Sequence, residues 1–130
     1  MADLLRGEQP NWDKDTLGDD PAAALRKTVQ AALAQWRRPG AVDTPSQMVP
    51  GMRVVDFALA DAVAHTWDLA TALGRDPGLD EDAVRLAYDR WAHGAAETGR
   101  QFGAFGPAVS IPDDAPVLDR YLGLLGRTPV

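Results

Sequence analysis

Asp61, His65 and Asp68 are the residues of this chain whose types and spacing could do chemistry. They lie in Asp61-Ala62-Val63-Ala64-His65-Thr66-Trp67-Asp68-Leu69, within an alanine-rich stretch of helical spacing. At i, i+4 and i+7 their side chains share one face of a helix with 3.6 residues per turn. A carboxylate and an imidazole one turn apart can grip a divalent cation. An open site of that kind lowers the pKa of a bound water or thiol. The expected metal ligands are therefore His65 and Asp61. Asp68 fits either a supporting role, accepting the other ring N–H of His65, or an ordinary one, as a cap or the partner of an arginine. The plainer reading of His65 is an imidazole held in a helical core by the carboxylate one turn away. Two ligands on one rod do not complete a site, and the chemistry requires both to face one buried space.

The elements that would position these groups are helical. Asp20 is a good N-cap and Pro21 suits a first helical turn. Leu25, Val29, Ala32, Leu33 and Trp36 then recur at helical spacing, and Pro39-Gly40 stops a helix over 21–38. Residues 1–20 read as an irregular lead-in, and 39–50 as a loop with a short extended piece near Gln47–Val49. A central helix over 52–73 ends at Gly74. One of its faces carries Val55, Leu59, Ala62, Leu69 and Leu73, and the adjacent face carries Val54, Phe57, Asp61, His65 and Asp68. Asp80 caps a helix over 80–98 whose stripe is Val84, Ala87, Tyr88, Trp91 and Ala95. A loop at 102–107 and an extended Ala108–Ile111 lead to a short helix over 116–125 carrying Val117, Leu118, Tyr121, Leu122 and Leu125. The expected fold is a single all-α domain of three main helices plus a short fourth.

Composition removes several classes of function. A chain of 130 residues can bury about 68% of its unfolded surface, enough for a real core. Nineteen acidic residues against thirteen basic ones give a formal charge of −6, and Arg26-Lys27 and Arg37-Arg38 are isolated basic pairs rather than a basic run. That lacks the electrostatic footprint of a nucleic-acid binder. No apolar run is long enough to cross a bilayer. The first residues lack the pattern of a signal peptide, so a cytoplasmic location is expected. There are no cysteines, which excludes a thiolate nucleophile or ligand from the chain itself. Any thiol must come from a small molecule. Ser46 and Ser110 each sit in a loop near a proline with no evident base, which disfavours serine catalysis. His93 is expected to face solvent. Trp12, Trp36, Trp67 and Trp91 read first as core anchors, with an aromatic ligand pocket as the alternative.

Two stretches carry a resemblance. One is Ala64-His65-Thr66-Trp67-Asp68-Leu69-Ala70 with Thr71-Ala72-Leu73-Gly74. The other runs from Phe105-Gly106-Pro107 through Ser110-Ile111-Pro112-Asp113-Asp114-Ala115-Pro116 to Leu118-Asp119-Arg120 and Leu124-Leu125-Gly126-Arg127. Together they resemble the DinB-like helical proteins of actinobacteria, akin to the N-terminal domain of mycothiol-dependent maleylpyruvate isomerase. The resemblance implies a four-helix bundle with a divalent metal, zinc or nickel, near one end. Its enzymes activate a low-molecular-weight thiol such as mycothiol for transfer or isomerisation. Its acid and His one turn apart fall on Asp61 and His65, with Asp shorter than the Glu often found there. It also implies a further His on an early helix, upstream of a segment like Asp3-Leu4-Leu5-Arg6-Gly7-Glu8, with which this chain begins. Three explanations are open: a start at Met1 downstream of the natural one, a dimer that fills the missing flank, or a scaffold that has given up its metal. A bundle lacking two helices would expose a broad apolar face, which pairing of two copies would cover. The expected functions are thus a metal-assisted thiol transferase or isomerase of small organic molecules, a metal-free small-molecule binder or catalyst, or a non-catalytic dimerising module.

Overall fold

Helices account for all the regular structure of the described residues, and no strand occurs among them beyond an isolated bridge. The computed structural model describes residues 2–8, 13, 18–47, 51–101 and 103–129. The chain divides into two units, Met1–Val55 and Asp56–Val130.

In the first unit, α1 (Ala2–Leu5) packs beside α2 (Pro21–Trp36). The Asp20 side chain accepts a hydrogen bond from Ala23 N at 2.9 Å, and Pro21 occupies the first turn. Both features start α2 where orphan N–H groups need them. The helix stops at Trp36, and Gly40 supplies the left-handed turn (φ 74°) into a 3-10 turn at Ala41–Asp43. Thr44 and Ser46 then pair with Val54 and Met52 through backbone bonds of 2.9 and 2.8 Å, an antiparallel bridge centred on Pro45 and Arg53. Trp12 and residues 48 and 49 of the expected extended piece lie outside the described residues.

α3 (Val54–Ala72) crosses from the first unit into the second and carries the candidate site. The second unit adds α4 (Glu81–Ala92), α5 (Ala95–Gln101) and α6 (Val117–Leu124). Asp80 caps α4 by accepting from Ala83 N at 2.9 Å. Its apolar stripe buries Val84, Ala87 and Trp91 at the expected spacing, and α4 packs mainly on α6. The helix expected over 80–98 is two helices. His93 ends α4, and Gly94 takes φ 103°, a conformation open to glycine alone, before α5 begins.

Trp91 is the centre of this unit. Its ring is 2% exposed and meets Phe57 and Phe105 edge-on, each at 5.3 Å between centroids. Its indole N–H donates to Asp56 O at 3.1 Å. Tyr121 is fully buried and donates its hydroxyl to Ala60 O at 3.1 Å. Burial pushes the Tyr121 hydroxyl well above its ordinary range, reinforced by the nearby Asp61 charge. The buried residues of α3 are Val54, Asp56, Ala60, Val63, Ala64 and Ala70, whereas Leu69 is 62% exposed and Leu73, just past its end, 59%. α3 is apolar on two faces, so periodicity alone does not select between them. On that side the Tyr121 hydroxyl reaches a backbone carbonyl of α3.

α6 ends in a Schellman motif. Arg127 N donates to Leu122 O (2.9 Å) and Gly126 N to Gly123 O (3.0 Å), with Gly126 at φ 79°. Arg100 adds a 2.8 Å bond to Leu124 O. A Cβ on Gly126 would sit 3.0 Å from Pro107 O. Gly126→Ala is thus both strained and crowded. We expect it to cost about 1–2 kcal/mol, read as a lower urea midpoint with an unchanged m-value.

Candidate functional site

The chemistry-bearing groups of α3 lie on its solvent side. Asp61 and His65 are one turn apart and exposed, and the His65 side chain keeps 68% of its surface in water. The expectation of a shared buried space is not met within the chain: the face that carries them is open. His65 Nδ1 lies 3.1 Å from Asp68 Oδ2, so the imidazole is held by the acid three residues on. Asp68 is gripped in turn by Arg127, whose Nε donates to Oδ1 and whose Nη2 donates to Oδ2, both at 2.8 Å. This is the bidentate fork that matches a guanidinium to a carboxylate.

Electrostatics separate the two acids. The hydrogen bond from Arg127 is the main cause that lowers the Asp68 carboxyl below its ordinary range, with His65 adding to it. Arg127 is raised in return, first by its hydrogen bond to Asp68. Asp61 moves the other way. It retains solvent access, yet desolvation raises its carboxyl, and the charges of His65 and Arg127 only partly oppose that rise. A carboxyl raised on folding binds its proton more tightly in the folded state. It therefore withdraws stability as pH climbs from the ordinary carboxylate value through the raised one, and the loss persists above it. Asp61→Asn removes that charge. It should raise Tm slightly at neutral pH in the metal-free chain and leave it unchanged in acid, where Asp61 is already protonated. A drop in Tm at neutral pH would contradict this.

Asp61 Oδ and His65 Nε2 are donors suited to zinc or nickel, and they supply two of the four positions of a tetrahedral site. Among the described residues, no group of three or more His, Asp or Glu is arranged to hold a metal ion. Any cation here needs ligands from elsewhere. His93 is exposed at the end of α4 and stands apart from the cluster in sequence. Of the tryptophans, Trp91 is a core anchor, while Trp36 and Trp67 are half-buried. A hollow of about 210 Å³ between Leu79, Glu81, Val84, Pro116, Val117 and Leu118 offers a single carboxylate and no convergent polar groups. The α3 face therefore remains the candidate.

Arg127 is the site residue that sequence reasoning missed. It is 59 positions from Asp68. The available signal was local: a glycine just past the last apolar position of a helix announces a left-handed cap, and the residue after it is then pinned.

No helix of the described residues is long and apolar enough to cross a membrane. No family model matches the chain, and no solved structure matches it. It is similar to two Mycobacterium tuberculosis proteins, Uncharacterized protein MT0763 of strain CDC 1551 and Uncharacterized protein Rv0738 of strain H37Rv. Each is 30% identical over 118 residues, covering 85% of this chain. The chain spans 63% of the length of these curated relatives.

Proposed function

We propose that the solvent face of α3 binds a divalent cation, zinc or nickel, through Asp61 and His65, and that the protein is a metal-assisted thiol transferase or isomerase of small organic molecules. The observation that carries this reading is the ordered imidazole: His65 leans on Asp68 through Nδ1, which leaves Nε2 directed away from that contact and one turn from a destabilised Asp61 carboxylate. Carboxylate-oriented histidines are the usual form of metal-ligating histidines. A bound cation would lower the pKa of a thiol delivered to it and stabilise a developing anion. The chain's own part is to present Nε2 unprotonated, to place the Asp61 carboxylate one turn away, and to keep the imidazole from turning. The thiol comes from a small molecule such as mycothiol, because the chain has no cysteine.

The cobalt(II)-loaded chain tests this reading. A small thiol should produce a thiolate-to-cobalt charge-transfer absorption, absent from His65→Ala. Equal absorption in the variant, or none in the unmodified chain, would end the proposal.

An open face needs a cover, and we propose that a second copy of the chain provides it. Leu69 on α3 and Leu73 just past its end stand exposed on the C-terminal side of His65. On α2, Leu25, Val29 and Leu33 are exposed at i, i+4 and i+8, and none of its sixteen residues is buried. α2 carries Arg26 and Lys27 and no acid, in a chain of formal charge −6, so its charge complements the remaining surface of a like chain. Pairing would bury these stripes and could bring further ligands to the cation. Light scattering should return a two-chain mass, reduced to one chain by Leu69→Glu with Leu73→Glu. A unit-mass particle for the unmodified chain at micromolar concentration would refute the dimer.

A further inference from the structure

We propose that Arg127 is a positioning residue of the α3 site: its guanidinium fork fixes the Asp68 carboxylate and, through it, the ring orientation and tautomer of His65. The inference rests on the reading of His65 as the ligating imidazole.

Three observations carry it. First, the fork is bidentate, with both N–H···O distances at 2.8 Å, so it sets the plane of the carboxylate as well as its place. Second, the arginine is itself held. Its backbone N–H is tied to Leu122 O at 2.9 Å by the cap of α6, Gly126 sets the turn before it, and its side chain is only 21% exposed. Third, Asp68 Oδ2 is shared: it receives Nη2 of Arg127 and stands 3.1 Å from Nδ1 of His65. A carboxylate can only accept. Both of its oxygens accept from the guanidinium fork, which fits the ionised carboxylate. Nδ1 must then be the donor. A neutral imidazole has one ring proton, so Nε2 is left with a bare lone pair. Free imidazole favours the opposite form, with the proton on Nε2. The tail of α6 thus selects the ring state in which the outward nitrogen can bind a cation.

A strap that merely tied the tail to α3 would move stability and leave the tautomer alone. The test reads the tautomer directly. Long-range ¹H–¹⁵N correlation on the full, metal-free, ¹⁵N-histidine-labelled chain is recorded at about pH 8.5, some two units above an ordinary imidazole. Its His65 signals are assigned by their loss in His65→Ala. The unmodified chain should show Nε2 unprotonated. Arg127→Gln should shift the ring toward the Nε2–H form. Arg127→Lys, which keeps the charge but not the fork, should give an intermediate population. An Nε2–H ring in the unmodified chain overturns the inference, as does an Arg127→Gln ring identical to it. Where Arg127→Gln does not fold, an Arg127→Lys ring identical to the unmodified one does the same. Zinc affinity is read separately, and Arg127→Gln should lose about 10–100-fold. A chain that shows the expected tautomer shifts and binds no zinc sinks the metal reading and leaves only the control of the His65 tautomer by Arg127 standing.

Discussion

Trp91→Ala should be the most destabilising single substitution in the second unit, at about 3–5 kcal/mol. The ring is 2% exposed and makes two edge-on aromatic contacts, with Phe57 from α3 and Phe105 from the loop after α5. Truncation opens a void that cannot close without moving both. It also removes the hydrogen bond from the indole N–H to Asp56 O, a further loss of about 0.5–1.5 kcal/mol. Against a domain stability of about 5–15 kcal/mol this is a large fraction. Chemical denaturation should show the loss as a lower midpoint. Trp91→Phe separates the two causes, since it restores most of the packing without the indole hydrogen bond. It should recover more than half of the loss. An Ala variant within about 1 kcal/mol of the parent would remove Trp91 from the centre of the packing.

His65→Ala should do the reverse, changing function and sparing the fold. The side chain is 68% exposed, and it leans on Asp68, which Arg127 satisfies independently. Surface substitutions of this kind stay within about 0.5 kcal/mol. On the metal reading the same change removes one of two ligands from the chain. Losing even an orienting partner costs roughly 10–100-fold in metal affinity, and losing the ligand should cost at least the upper end of that range. Zinc calorimetry beside thermal melting reads both quantities. Unaltered zinc affinity would show that His65 holds no cation.

The particulars show what a sequence can disclose here. The stripe of α4 was legible because a helix with one apolar face has one way to turn: Val84, Ala87 and Trp91 are buried as their spacing requires. The caps at Asp20 and Asp80 were legible because the side-chain acceptor is local. α3 was legible as a helix but not in its orientation. It is apolar most of the way round, and the choice between leucine and alanine faces is made by what must approach it, Tyr121 in this case. The break at Gly94 escaped because a single glycine inside an apolar period is as consistent with a helix interior as with its end. At the site, the spacing of Asp61, His65 and Asp68 on one helix could be read directly. Their exposure could not, because it depends on where the rest of the chain lies. The part of Arg127 was hidden by sequence distance, although the glycine that aims it was in view.

The chemistry proposed for the α3 face depends on the outward nitrogen of His65 taking a cation. Titration of zinc into the chelator-treated, ¹⁵N-histidine-labelled chain tests this most directly. The account predicts a saturable change at His65 Nε2, with Nδ1 keeping its proton and its partner Asp68. A His65 ring whose nitrogen signals stay in place at saturating zinc, or one that moves at Nδ1 instead, would contradict it.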